Sequence, residues 1–138
     1  MISITSITKN YILQSGLIEK HRKTLDWLSS TVLWKRECEF FQKLLDQYGS
    51  NFTAIEDKKK LDHFQSLIVY YNGEVIDECR KRLRKHEKDL SEMLQTKDEL
   101  KIQYFKEHDT LMESLESFRN SFAEYKEEFF AFIEKAIT

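Results

Sequence analysis

Proline is absent from the 138 residues, and only three are glycine. A turn-rich sandwich or barrel, which needs such punctuation every ~8–12 residues, is thereby excluded. No run approaches the ~18 apolar residues of a membrane span, so an integral membrane protein is not expected. The two cysteines, Cys38 and Cys79, make neither a disulfide framework nor a zinc motif. A cytoplasmic location fits them, with both thiols acting as small apolar core residues. Neither sign of charge dominates. The net charge is -2 and the sequence pI about 6.1, which argues against a strongly basic nucleic-acid binder. The opening MISITSITKN sets no basic segment ahead of an apolar stretch, so no secretory signal is expected.

Catalytic signatures are missing too. There is no G-x-S-x-G elbow, no glycine-rich phosphate loop and no H-E-x-x-H. The balance leans away from an enzyme, and no cofactor is expected, with a transition metal ion as the alternative.

What the chain does contain is helical periodicity. Ile18, His21, Leu25, Leu28 and Val32 recur at spacings of three and four, and the stripe continues through Trp34, Cys38, Phe41, Leu45 and Tyr48. Tyr104, His108, Leu111, Leu115, Phe118, Phe122, Tyr125, Phe129 and Phe132 hold one heptad seam. Gly49 marks a break, Thr53 to Glu56 has the form of a capping box, and Thr96 to Glu99 repeats it. These signals predict an all-α single domain over 1–138. Its helices are expected at about 7–48, 54–95 and 97–137, with residues 1–6 as a tail. Each helix would be ~60 Å long at ~1.5 Å per residue. Short connections between equal helices imply an antiparallel up-down-up bundle. Asn72-Gly73 between apolar residues is the competing hairpin cue. Its flanks are helix-forming, so the expectation is continuous helix, with Gly73 permitting a close helix approach or a kink.

With helix ends aligned, a first-helix residue i faces roughly 102 − i, and a middle-helix residue j faces roughly 191 − j. Three constellations follow. An aromatic-rich end carries more apolar width than a three-helix core consumes, which points to dimerisation or docking of another protein through Trp34, Phe41, Phe130 and Ile133. A fat aromatic core is the plainer reading of the same residues. At the other end His21, His86 and His108 fall on inward faces within about two turns of one another, a possible three-histidine metal site. No E-x-x-H unit accompanies them, and ordinary boundary histidines are the commoner case. His63 lies off the seam. A basic belt of Arg80, Arg82, Arg84 and Lys85 is a weak candidate for anion or nucleic-acid binding, against which stand the acidic residues of the last helix. Glu37 projects toward apolar surface near Lys126, and Asn72 sits in the middle seam as a register-setting amide. The first functional expectation is a non-enzymatic interaction or scaffold protein, with a homo-oligomer or another protein as partner and no membrane.

Overall fold

The computed structural model describes residues 15–96 and 101–137. It is all-α, with no strand among those residues. Helix α1 spans Ser15–Tyr48, and a 3-10 turn covers Gly49–Asn51. Helix α2 spans Ile55–Tyr70, a π turn follows at Tyr71–Val75, α3 spans Ile76–Thr96 and α4 spans Lys101–Ile137. Among the described residues, no helix is long and apolar enough to cross a membrane. The expected start of the first helix at residue 7 and the second capping box at Thr96 to Glu99 lie outside the described side chains.

The chain divides into two compact units. Unit 1 is Met1–Thr31 with Cys79–Glu116, and unit 2 is Val32–Glu78 with Ser117–Thr138.

Unit 2 is built on aromatic rings. Phe41, 1% exposed, meets Phe129 at 4.7 Å, Tyr125 at 6.2 Å and Phe122 at 6.3 Å between centroids. Trp34 packs edge-on to Phe118 at 5.0 Å, and Phe64 to Phe129 at 5.7 Å. Tyr71 meets Phe118 at 5.2 Å. Within these contacts residue numbers rise together along α1 and α4 and fall along α2. The edge-to-face geometry suits ring quadrupoles, and each such pair adds ~0.5–1.5 kcal/mol beyond its buried area. The Tyr125 hydroxyl donates to the Phe64 carbonyl at 3.1 Å, so its one polar atom is not stranded in the core.

The link between α1 and α2 departs from the sequence expectation. Thr53 does not cap: the residue before α2 is Ala54, in extended conformation, with no side-chain hydrogen bond. Gly49 opens the 3-10 turn, and the Phe52 amide donates back to its carbonyl at 3.2 Å. A Cβ at Gly49 would lie 3.3 Å from Leu61 Cδ2, so the glycine serves close packing against α2. This link carries α2 past the end of α1 before it returns. Gln42 consequently pairs with Gln65 through reciprocal amide bonds of 2.8 and 2.6 Å, where aligned ends would put position ~60 opposite it. The α2–α4 pairings, such as Phe64 with Phe129, stay within a turn of the expected level.

Asn72-Gly73 is helical, and not a hairpin. The amide of Ile76 bonds the Tyr71 carbonyl five residues back, the signature of a single π turn. Nothing lies within 4 Å of a Cβ built on Gly73, so the expected close helix approach is absent among the described residues. The π turn redirects one hydrogen bond and frees the Asn72 carbonyl, which would otherwise accept from Ile76. Lys35 on α1 fills that vacancy: its Nζ donates to the Asn72 carbonyl at 3.3 Å and pairs with the Asp77 carboxylate. Asn72 Oδ1 itself is buried without a partner, so the amide side chain does not supply the register contact expected of it. The lysine does.

Because Asp77 is more than half exposed, its leg of this brace contributes little. The carbonyl leg is the costly one to lose. Lys35→Met should lower unfolding free energy by about 1–2 kcal/mol, read from urea midpoints. Asp77→Asn should cost less than half as much.

Candidate functional site

Unit 1 places the three histidines in one layer. Leu17, Leu90, Met93 and Tyr104 form a buried cluster, with Ile18, Leu94 and Phe105 packed against it. One helical turn along each segment from Leu17, Leu90 and Tyr104 come His21, His86 and His108, which are 4%, 3% and 3% exposed. The inward faces expected of them are therefore the ones observed. His63 is exposed, in unit 2.

Two of the three meet. His86 Nε2 and His108 Nδ1 lie 2.8 Å apart, so one ring N–H donates to the bare nitrogen of the other. The His86 ring stacks on Tyr104 at 4.3 Å with 3° between planes. Burial lowers the pKa of His86 to about 4 against a weaker opposing pull from Asp89. Burial, then the neighbouring His86 and Lys20, lower that of His108 to about 4 as well. Both shifts favour the neutral imidazole near pH 7, and the shared hydrogen bond needs a bare nitrogen on its acceptor ring. His21 Nδ1 is buried without a partner.

Among the described residues, no group of three His, Cys, Asp or Glu side chains is arranged to hold a metal. The predicted centre is thus realised as a hydrogen-bonded pair plus a third buried imidazole, and the nitrogens that would face a metal face each other.

Beside the pair opens a groove of about 290 Å³ whose lining includes Arg82, Lys85, Asp89, Lys106 and Glu107. Cations and carboxylates alternate along it, and Lys85 is paired with Asp89 at 2.8 Å. The expected basic belt does not form one face. Arg80 turns inward and donates to the buried Thr31 hydroxyl at 3.1 Å, while Arg84 is exposed. At ~100° per residue, positions 80, 82, 84 and 85 spread over about 200° of the helix. A phosphate could be touched by few of them at once.

The aromatic end also resolves differently from the expectation. Trp34, Phe41 and Ile133 are 5%, 1% and 2% exposed, consumed by the core of unit 2 and out of a partner's reach. Phe130, at 43%, is the one of the four left at the surface. Other side chains take their place there: Leu33 at 58% and Phe40 at 54% on α1, and Ile137 at 50% on α4. Leu33 and Phe40 are seven residues apart, as are Phe130 and Ile137, so each pair shares one helix face. Between them Lys126 Nζ bonds Glu37 Oε2 at 3.1 Å, the pairing expected for Glu37. Phe130 also packs edge-on to Phe41 at 5.4 Å. Both contacts join positions 89 apart in number, which puts Phe40 and Phe130 within one residue of the same level. The heptad spacing just outside the core stripe was the available sequence signal for this surface.

Comparison with protein-family models, with curated proteins and with solved structures found no match to this chain.

Two outcomes follow from the buried groups. A histidine held neutral in the fold but free to protonate when unfolded stabilises the protein fully above about pH 6.5, and that stability is lost as pH falls toward about 4. Urea midpoints should be flat near pH 7–8 and fall by a few kcal/mol equivalent between pH 6.5 and 4. Replacing both with leucine should flatten the profile, whereas His108→Leu alone should cost about 1–3 kcal/mol at pH 7 by stranding a His86 nitrogen. Separately, burial and the adjacent Glu37 push the Cys38 thiol up to about 12. Native protein at pH 8 should therefore react with a thiol reagent at Cys38 at least 100-fold more slowly than urea-unfolded protein.

Proposed function

We propose that this chain acts by protein–protein contact, as an interaction or scaffold protein that docks through the α1–α4 face of unit 2. The observation that carries the reading is the exposure of Leu33 and Phe40 on α1 and of Phe130 and Ile137 on the adjacent α4, with Phe40 and Phe130 at matched levels. Single exposed apolar residues are ordinary, but a row of four across two helices, two of them phenylalanine, is a surface that water solvates at a cost. The core does not need them, since Phe41, Phe122 and Phe129 already fill it to 1% exposure or less. Phenylalanine gives large contact area for little lost side-chain freedom, which suits it to an interface. The face is also held still. Phe130 is braced by Phe41, and the Glu37–Lys126 pair ties α1 to α4 beneath the strip. A preorganised surface loses less freedom on binding.

The other features of the chain weigh less. The histidine pair is buried with one nitrogen of each ring satisfied by the other, and Cys38 is held as an unreactive thiol.

A photoreactive benzophenone side chain at position 40 or 130 should cross-link, in the cells that make the protein, to one partner identified by mass spectrometry. The adduct should vanish when Leu33→Glu is added. The same group at Ser66, exposed on α2, should not capture that partner. No adduct from positions 40 and 130, or equal capture from position 66, overturns the reading.

A further inference from the structure

The charges that border this face are ordered. Across it from the outer edge of α1 to the outer edge of α4 run Arg36 and Lys43, then Leu33 and Phe40, then Glu37 with Lys126, then Phe130 and Ile137, then Glu127 and Glu134. The order follows from helix geometry at ~100° per residue, with the buried Phe41 and Phe129 marking the core side of each helix. Arg36, Lys43, Glu127 and Glu134 are all exposed, and none is in an ion pair formed among the described residues. One rim is basic and the other acidic.

Such a face is complementary to itself. We propose that the partner docked here is a second copy of this chain, related by a two-fold axis parallel to α1 and α4. The inference rests on the docking reading above and adds the partner and its orientation. That axis exchanges left and right across the face while keeping height, so α1 of one copy lies on α4 of the other. Arg36 then meets the partner's acidic rim near Glu127, and Lys43 meets it near Glu134. With the level offset of 89 set by Glu37–Lys126, both pairs are displaced by the same two residues, about 3 Å. In the next rows Phe40 of one copy lies opposite Phe130 of the other, within one residue of the same level. At the centre Lys126 of one copy comes over the Glu37 carboxylate of the other. The alternative two-fold, perpendicular to the helices, lays α1 on α1. It would lay the basic rim of one copy on the basic rim of the other, and the acidic rim on the acidic rim. Like charges at that range cost binding, so the perpendicular arrangement is disfavoured.

The size of the face sets the concentration at which to look. Two helices over about fifteen residues give a contact of roughly 20 Å by 20 Å, on the order of 1,000 Å² in total for two copies. That lies at the low end for specific complexes, so association in the micromolar range is the expectation.

Sedimentation equilibrium of the full chain from 5 to 500 µM in 50 mM salt tests this. Wild type should approach twice the 16.7 kDa mass of one chain. The variant Arg36→Glu with Lys43→Glu should weaken self-association at least tenfold, as should Glu127→Lys with Glu134→Lys. All four positions are exposed, and helical circular dichroism should confirm that both variants fold. Mixed in equal amounts, the two variants should recover the wild-type affinity as a heterodimer, because every rim contact is again between opposite charges. A wild type that stays monomeric at 500 µM, a dimer indifferent to both charge reversals, or a mixture that does not recover overturns the proposal. A monomer that still cross-links from position 130 to a different protein keeps the docking reading and overturns the second copy. A monomer with no adduct overturns both.

Discussion

Phe41 sets the level at which α4 runs beside α1. Its ring lies 4.7 Å from Phe129 and 5.4 Å from Phe130, and those contacts leave α4 little freedom to slide. An aromatic side chain buries ~150–250 Å², so a one-turn slip would expose several such surfaces at once. The Glu37–Lys126 pair repeats the offset of Phe41 with Phe130, and both side chains of the pair are about one-quarter exposed. Shielded to that degree, it is better placed to hold the register than a fully solvated pair would be. The matched levels of the surface phenylalanines are a consequence of this packing.

Within each unit, several polar groups beside the core find partners in the chain. Tyr125 reaches the Phe64 carbonyl, Arg80 reaches Thr31, and the Asn51 amide donates to the Ala136 carbonyl at 2.9 Å near the end of α4. That last bond serves one of the carbonyls a helix terminus leaves without an intrahelical partner. Lys35 is the unusual member of the set. A π turn costs a helix its regular bonding, and here a lysine on a neighbouring helix donates to the freed carbonyl. Its aliphatic stem also allows it to reach Asp77 while staying partly in water. The local irregularity and its remedy belong to one interaction.

Unit 1 gives a different balance. Its histidines are as buried as leucines would be, and desolvation keeps two of them neutral. A neutral pair that shares one hydrogen bond is a satisfied polar contact in a core, and it carries a dependence on acid that a leucine layer would lack. The rings are committed to one another, while the charged groups around the nearby groove are of both signs.

Much of the fold was legible in the sequence because periodicity and missing punctuation are local properties. Three- and four-residue spacing with no proline fixes helix along most of the chain, and helix-forming flanks overrode the Asn72-Gly73 hairpin cue. The burial of His21, His86 and His108 followed from the same stripes, as did the pairing of Glu37 with Lys126. What sequence could not supply were relations that depend on distance between helices. The link at 49–54 overshoots the end of α1, so α2 meets it more than a turn away from the aligned-end expectation. Whether three imidazoles converge or two pair off depends on ångströms of inter-helix spacing and on ring rotation. The apolar width of α1 and α4 was evident from the residues alone, but which members of it stay wet was decided by packing: Trp34, Phe41 and Ile133 filled the core, and Leu33 and Phe40, one heptad apart on the outer face, were left in water with Phe130.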